Sequence, residues 1–311
     1  MLLAITACTM PALEPSIEVS QSPPTSTLIP THTLQPSPTL TFTPSSTFTP
    51  TPNINLTTSG VIAHNEIWQN EILITGDILI PKGITLRIEP GTIVRFTAQK
   101  DDLLKGGNDD LAIPERVYFP NDPPAIPSKM IVIRNFGTLE SVGTLEDPII
   151  FTSDSDYPSV NDWQGFRISG EAEIKFSIIE YSYWAVQLDK SSVLDLKNTI
   201  FQHIATCAIC TGRTSIPQEI KITENTFIDC GHEGVDTYQN QNIIVRDNLF
   251  IENVVGVVAN YGSEILIENN YFYYNDLNIG IFNKSDPTLI DNEIIWNIEG
   301  INLMDFLSHF E

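Results

Sequence analysis

Ile265-Leu-Ile-Glu-Asn-Asn-Tyr-Phe-Tyr-Tyr-Asn275 is the segment from which the fold is most readily predicted. Apolar Ile265 and Ile267 alternate with other residues, and Asn270 precedes the aromatic Phe272 by two positions. Apolar alternation of period two indicates a strand, and each apolar run is too short for a helix. The same residue types recur in six segments, at spacings of 22, 26, 23, 22 and 22 residues, so the sequence predicts a repeat fold.

The six segments keep four positions in constant phase: one apolar, one mainly aromatic, and two polar positions that become asparagine towards the C-terminus. The apolar column is Ile174, Leu196, Ile222, Val245, Ile267 and Leu289, and the aromatic column is Ile179, Phe201, Phe227, Phe250, Phe272 and Ile294. The polar columns are Ser177, Thr199, Asn225, Asn248, Asn270 and Asn292, and then Ser182, Ile204, Cys230, Asn253, Asn275 and Asn297. Each column predicts one line of equivalent side chains.

The packing of a parallel β-helix explains why the same residue types recur in these columns. A coil of about 22 residues cannot bury its own inner face, but stacked coils share a continuous core. Strands stacked at about 4.8 Å place equivalent residues directly above one another. An inward asparagine at each bend can then hydrogen-bond to its copies in the coils above and below.

Two other repeat folds fit less well. The pattern Ile265-x-Ile267-x-x-Asn270-x-Phe272 also matches the strand motif of a leucine-rich repeat, but that motif's later leucine positions are missing and no segment has a helical pattern. A propeller needs a period about twice as long.

Residues 77–96, Asp-Ile-Leu-Ile-Pro-Lys-Gly-Ile-Thr-Leu-Arg-Ile-Glu-Pro-Gly-Thr-Ile-Val-Arg-Phe, resemble the opening coils of secreted bacterial right-handed parallel β-helix proteins of the pectate-lyase-like superfamily. So do residues 137–143, 147–153 and the Asp162-Trp-Gln-Gly165 element. The resemblance implies an all-β, right-handed, single-stranded parallel β-helix of roughly ten coils over residues 59–311. It also implies a function that involves carbohydrates or the cell surface, but it does not indicate which activity.

The N-terminal region has a different character. Ile5-Thr-Ala-Cys8 resembles a bacterial lipobox, which implies a signal at residues 1–8 and lipidation of Cys8, although no Lys or Arg precedes it. Residues 9–58 contain ten Pro and twenty Ser or Thr, and no Lys or Arg. Such a segment cannot bury enough apolar surface to fold, so it predicts a disordered linker that acts as a stalk.

The charge balance excludes one class of partner. Sixteen Lys and Arg stand against 39 Asp and Glu, which gives a net charge of −23. A protein that binds nucleic acid by neutralising phosphates needs the opposite balance. The predicted membrane contact is through the lipid anchor alone, and we expect a monomer.

Aromatic residues provide candidate sites for sugars, whose apolar faces stack on rings. Tyr118 and Phe119 lie in a long insertion between Gln99 and Lys129, and Trp163 is a further candidate. A third candidate is a column two residues after the aromatic column, which either forms a ligand-binding strip or consists of exposed strand ends without a role. Its members are Tyr181, His203, Asp229, Glu252, Tyr274 and Trp296.

Carboxylates provide candidates for catalysis. Asp229 and Glu252 fall one coil apart, near the separation of ~5–5.5 Å that retaining glycosidases use. Residues 230–236 concentrate His232, Glu233 and Asp236, and they faintly resemble the Asp-Gly-x-Asp element of polygalacturonase-like hydrolases, with Glu233 in the first place. That resemblance implies general acid–base roles for Glu233 and Asp236, but the family's other aspartate pair is missing.

Two metal sites are conceivable. Asp154, Asp156 and Asp162 fall in one predicted loop, where they could bind Ca²⁺ together with backbone carbonyls. The remaining cysteines, Cys207, Cys210 and Cys230, leave three hypotheses open: buried thiols, a disulfide that involves Cys230, or a Zn²⁺ site completed by His232.

The sequence therefore predicts a cell-surface lipoprotein that displays a β-helix and binds extracellular or envelope polysaccharide. One alternative is a polysaccharide hydrolase or lyase of the same superfamily, with a hydrolase favoured because the negative charge repels the polyuronate substrates of lyases. Another alternative is a structural, adhesin-like surface rod.

Overall fold

The computed structural model describes residues 56–99, 130–211, 216, 218–295 and 299–304. These residues form 28 β-strands, numbered here in chain order, and every strand pairing is parallel. Successive strands belong to three different sheets in turn, so the chain winds as a solenoid. No helix that is long and apolar enough to span a membrane occurs in the described part of the chain.

Sheet A has ten strands and sheets B and C have nine each. Sheet A contains β1 (Gly60–Val61), β4 (Ile78–Ile80), β7 (Val132–Asn135), β10 (Gly165–Ile168), β13 (Val186–Leu188), β16 (Ile209–Cys210), β19 (Glu233–Tyr238), β22 (Val255–Asn260), β25 (Leu277–Phe282) and β28 (Glu299–Met304). Sheet B contains β2 (Glu66–Trp68), β5 (Thr85–Ile88), β8 (Thr138–Val142), β11 (Glu171–Lys175), β14 (Val193–Lys197), β17 (Ile220–Thr223), β20 (Ile243–Arg246), β23 (Leu266–Glu268) and β26 (Thr288–Ile290). Sheet C contains β3 (Glu71–Ile74), β6 (Ile93–Phe96), β9 (Ile149–Ser153), β12 (Ser177–Glu180), β15 (Ile200–Ile204), β18 (Thr226–Cys230), β21 (Leu249–Ile251), β24 (Tyr271–Tyr273) and β27 (Glu293–Ile295).

Nine complete turns and a tenth strand of sheet A confirm the predicted parallel β-helix. The three-sheet turns and the absence of helices in the described residues exclude the leucine-rich-repeat alternative. In sheet C the register pairs Phe201 with Phe227, Phe227 with Phe250, and Phe250 with Phe272. All four rings are fully buried, and neighbouring rings stack with centroids 4.7–5.1 Å apart and planes within 7°. The four phenylalanines of the predicted column therefore form a continuous stack inside the solenoid, whereas Ile294, on the last turn, is 38% exposed.

Asparagines hold two of the corners, as their spacing predicts. Where sheet B turns into sheet C, Asn270 Oδ1 accepts hydrogen bonds from the backbone N–H and the Nδ2 of Asn248, each at 3.0 Å. Where sheet C turns into sheet A, Asn275 Oδ1 does the same for Asn253, at 3.0 and 2.9 Å. Asn225, Asn248, Asn253, Asn270 and Asn275 are buried, and the ladders give their amide groups partners that water cannot supply there.

All three corners also contain non-glycine residues with left-handed backbone. At the corner from sheet A to sheet B these residues are Gln239, Tyr261, Asn283 and Lys284, with φ between 51° and 62°. At the corner from sheet B to sheet C these residues are Asn70, Phe176, Asn198, Glu224, Asp247, Asn269 and Asp291, with φ between 47° and 64°. At the corner from sheet C to sheet A they are Tyr181, His203, Asp229, Glu252 and Tyr274, with φ between 52° and 59°. A left-handed backbone costs most residues about 1–2 kcal/mol, and asparagine and aspartate tolerate it best.

Candidate functional site

The corner from sheet C to sheet A presents the sequence-predicted column to solvent. We call Tyr181, His203, Asp229, Glu252 and Tyr274 the corner strip. Each member directly follows an outward-facing residue of sheet C and occupies the same position on successive turns. Tyr274 is 59% exposed, Asp229 and Glu252 are exposed, and Tyr181 and His203 are half-buried.

Contacts organise one end of the corner strip. The Tyr181 ring stacks on the His203 ring, with centroids 5.3 Å apart and planes at 15°. His203 Nδ1 lies 2.8 Å from Asp229 Oδ2, so the imidazole is fixed from the neighbouring turn. Burial and the nearby Glu180 carboxylate raise the pKa of the Tyr181 phenol. The phenol therefore stays protonated at neutral pH and can donate a hydrogen bond. Aromatic rings and polar groups from successive turns therefore lie next to one another at this end of the strip.

The residue types at the two corners that flank sheet C differ. Five of the seven left-handed positions between sheets B and C hold asparagine or aspartate, the types that accept this backbone most readily. Among the five members of the corner strip, only Asp229 is of that kind. A preference for left-handed backbone therefore does not explain why tyrosine, histidine and glutamate stand in the strip.

Asp229 and Glu252 occupy adjacent turns, because Ile228 and Ile251, which precede them, are paired in register. Their backbones are therefore about one strand spacing, ~4.8 Å, apart. Asp229 is engaged by His203. The structure thus places two of the four predicted catalytic carboxylates on adjacent turns of an exposed corner.

A second group lies at the start of β19 in sheet A. The His232 ring is hydrogen-bonded through Nδ1 to Glu233 Oε1, and Glu233 is 8% exposed. Asp236 is partly buried, and its Cα pairs with that of Cys210 on the preceding turn. Burial, and then the Glu233 carboxylate, raise the pKa of Asp236 well above its usual range, whereas His232 opposes the shift. A carboxyl group that keeps its proton near neutral pH can act as a general acid.

The raised pKa of Asp236 predicts a pH-dependent stability. The folded chain holds this proton to higher pH than the unfolded chain, so folding is favoured most below the unfolded pKa, and that advantage is lost as pH rises through the folded pKa. In the wild type we expect the free energy of unfolding to fall by at least about 1 kcal/mol as pH rises through this range, and Asp236→Asn should remove that fall. One pKa unit is 1.36 kcal/mol, and partial exposure reduces the effect. Urea unfolding measured from pH 4 to 9 tests this. Asp276→Asn, at an exposed corner position, is the control. If the free energy of unfolding depends on pH equally in the wild type and in Asp236→Asn, the assignment is contradicted.

The cysteines correct one prediction. Cys207 and Cys210 form a disulfide with Cα atoms 5.8 Å apart, whereas Cys230 is a buried free thiol. The disulfide hypothesis named Cys230 and was wrong in that respect, because residue 207 precedes β16 at the corner, where strict strand alternation does not apply. Burial raises the pKa of the Cys230 thiol, so this sulfur stays protonated and unreactive.

The predicted metal ligands do not gather into a site. Asp154 Oδ1 accepts a hydrogen bond from the Ala98 backbone at 2.8 Å, while Asp162 Oδ2 accepts from Ser153 Oγ at 2.6 Å and the Ser159 backbone at 2.9 Å. Within the described ranges, no three His, Cys, Asp or Glu side chains are placed to hold a metal ion, and this includes Asp156 and the group around His232. Asp154 and Asp162 serve as turn-stabilising acceptors.

Trp163 is a core residue, so its prediction as a ligand-binding residue was wrong. It is fully buried, stacked on Phe96 with centroids 3.8 Å apart, and its Nε1 donates to the Glu180 carbonyl at 2.8 Å. Four other predicted positions lie outside the described residues: Cys8, Tyr118, Phe119 and Trp296.

Sequence reasoning missed the outer face of sheet C. Tyr271 is 40% exposed and Tyr273 is half-buried, on either side of the inward Phe272. Their rings are parallel within 3°, with centroids 6.5 Å apart. The signal was present in the sequence, since residues that flank an inward aromatic on a strand must point outward.

Comparison with known families agrees with this architecture. Residues 60–183 match the model of the pectate-lyase like beta helix domain, and residues 184–307 match that of the right handed beta helix region. Together the two matches cover the solenoid and support its right-handed winding. Searches of the curated proteins and of the solved structures gave no match.

Proposed function

We propose, on the premise that the described solenoid is a right-handed β-helix of the pectate-lyase-like kind, that this chain binds a polysaccharide along the corner strip. The observation that supports this most is the left-handed line of Tyr181, His203, Asp229, Glu252 and Tyr274. Exposed rings offer faces for the apolar sides of sugars, and the imidazole and carboxylates offer partners for hydroxyl groups.

Glycan binding is tested with an array of plant, bacterial and animal polysaccharides and the full chain. We expect retention of at least one glycan, and loss of that retention in a variant with Tyr181→Ala and Tyr274→Ala. Phe136→Ala is the matched control, because it also removes an exposed ring (48%) but lies in the turn between β7 of sheet A and β8 of sheet B, at a different corner. If no glycan is retained, the structural-rod alternative replaces this proposal.

Backbone strain in the corner strip gives a stability prediction. At a left-handed position, glycine lacks the Cβ clash that alanine has, so we expect Tyr274→Gly to be more stable than Tyr274→Ala by about 1 kcal/mol. Both variants should lose glycan affinity to the same degree, because both remove the ring. Thermal unfolding and binding of the two proteins, measured side by side, check this. A stability order of Ala above Gly would show that the backbone there is not left-handed in solution.

A polysaccharide hydrolase is the second candidate, and the raised pKa of Asp236 beside Glu233 favours it. Among the described residues, the buried Gln187 Oε1 in β13 of the same sheet, and Trp184 Nε1 just before that strand, have no hydrogen-bond partner. Release of reducing ends from a retained glycan, abolished by Glu233→Gln with Asp236→Asn, would support the hydrolase. Unchanged release in that double variant would exclude this site.

We also propose display at a bacterial cell surface. The lipobox-like Ile5-Thr-Ala-Cys8 and the Pro, Ser and Thr-rich residues 9–58 support it, since an anchor followed by a stalk holds a domain away from a membrane. Expression in a bacterium with labelled fatty acid should place label on the wild type and not on Cys8→Ser. Equal labelling of both proteins would contradict the assignment.

A further inference from the structure

The outer face of sheet C is unusually apolar for a solvent-facing surface of an acidic protein. On three successive turns, the outward positions are Thr226 and Ile228 in β18, Leu249 and Ile251 in β21, and Tyr271 and Tyr273 in β24. We call the five apolar or aromatic residues among them, all except Thr226, the platform. They alternate with the fully buried Phe column, so their direction is fixed by the strand alternation. None of them carries a charge.

The platform is flat and regular. Register pairs Ile228 with Ile251 and Ile251 with Tyr273, so each side chain stands on its equivalent in the next turn. The parallel rings of Tyr271 and Tyr273 cover the last of the three turns. Tyr274 of the corner strip follows immediately, which makes the platform continuous with the strip.

Carboxylates border the platform along both edges. On the side of the corner strip these are Asp229 and Glu252, and on the opposite corner they are Glu224 and Asp247; all four are exposed. Glu224 pairs with Lys197 at 2.8 Å, and Asp247 accepts a hydrogen bond from Asn269. Glu252 has no ion-pair partner among the described residues. Asp229 lies 2.8 Å from His203 Nδ1. Glu252 and Asp247 are therefore the carboxylates without an ion pair among the described residues, one on each edge of the apolar centre.

An occupant of this surface needs an apolar face, an extended shape and positive charge along both edges. An amino-sugar polymer with free amines has these properties, since its pyranose rings present C–H faces and its ammonium groups project from the edges of the chain. Charged donors give the stronger hydrogen bonds to carboxylates, and a net charge of −23 draws a polycation towards the protein. The same charge repels a polyuronate.

We propose that the platform and its two acidic edges select a polysaccharide of amino sugars with free amines. This rests on the proposed function and names the substrate class for it. The rings of Tyr271 and Tyr273 stack on the sugar faces, and Glu252 and Asp247 pair with ammonium groups on opposite edges.

Binding of a glucosamine oligomer with free amines, measured by calorimetry on the full chain at low salt, tests the proposal. The comparison ligands are the same oligomer fully N-acetylated, a glucose oligomer and a galacturonate oligomer. We expect the free amine to bind about tenfold tighter than the N-acetylated form, which is about 1.4 kcal/mol. This preference should shrink at high salt, because exposed charges are screened.

Variants separate the two parts of the surface. Tyr271→Ala with Tyr273→Ala should weaken all bound sugars about tenfold, whereas Asp247→Asn with Glu252→Gln should weaken only the free-amine oligomer. Glu264→Gln, at an exposed carboxylate on another corner, is the control. Thermal unfolding of each variant confirms that it is folded.

Each outcome has one meaning. Equal affinity for free and acetylated oligomers, tighter binding of galacturonate, or full affinity in the platform variants overturns this inference and leaves glycan binding by the corner strip standing. Tighter binding of a cationic amphipathic peptide than of the amine oligomer also overturns it. Absence of binding to every sugar defeats the proposed function as well.

Discussion

Phe250→Ala is expected to lower the free energy of unfolding by about 3–5 kcal/mol, the usual cost of removing a buried phenylalanine. Phe250 is fully buried, and its ring lies between those of Phe227 and Phe272, with centroids 4.7 and 4.8 Å away. A Cβ added at Gly234 would lie 2.8 Å from the ring, so the backbone already fits closely around it. Alanine would leave a cavity that these rigid neighbours cannot fill.

Chemical denaturation of wild type and variant measures this loss. Phe136→Ala makes the same chemical change at a residue that is 48% exposed, and we expect it to cost less than about 1 kcal/mol. Because neighbouring turns contribute separately to the stability of a solenoid, hydrogen exchange should show the largest loss of protection in β18, β21 and β24. A uniform small loss over all sheets would contradict the stacked-column interpretation.

Asn270→Ala should have an effect of similar size, about 3 kcal/mol or more, for a different reason. Asn270 Oδ1 accepts from the backbone N–H and the side-chain Nδ2 of Asn248, and Asn270 Nδ2 donates to the Val245 carbonyl and to Asn292 Oδ1, each at 2.9–3.0 Å. Removing the amide leaves several buried groups unpaired, and each costs about 1–3 kcal/mol.

The same denaturation experiment checks the asparagine ladder. Gln241→Ala removes an amide of the same kind from an exposed position and should change stability by less than about 0.5 kcal/mol. Asn275→Ala, in the ladder of the other corner, should behave like Asn270→Ala. If both ladder variants stay within the range of the control, the amide ladders contribute little to the fold.

The sequence predicted the columns because every turn of a repeat fold buries residues at the same positions. Phe227, Phe250 and Phe272 share one phase, and so do Asn225, Asn248 and Asn270, so the periodicity alone defined the inward positions. It also predicted that the corner strip turns outward. Each of these statements depends only on the alternation of a strand and the length of a turn.

What the sequence did not predict depends on geometry outside the repeat. Trp163 follows an irregular connection, where spacing does not say whether a ring turns inward. The pairing of Cys207 with Cys210 depends on a corner that brings both to one side. The raised pKa of Asp236 arises from burial and from Glu233, which no linear pattern measures.

The one-to-one register of equivalent residues has a consequence for how such a chain can change its length in evolution. Loss or duplication of a 22-residue unit, such as residues 249–270, rejoins the strands in phase and leaves every ladder intact. Loss of a single residue within a strand would turn the inward set outward from that point to the next corner. We therefore expect the length of this domain to vary in evolution by whole 22-residue units, and each unit gained or lost would lengthen or shorten the corner strip by one residue.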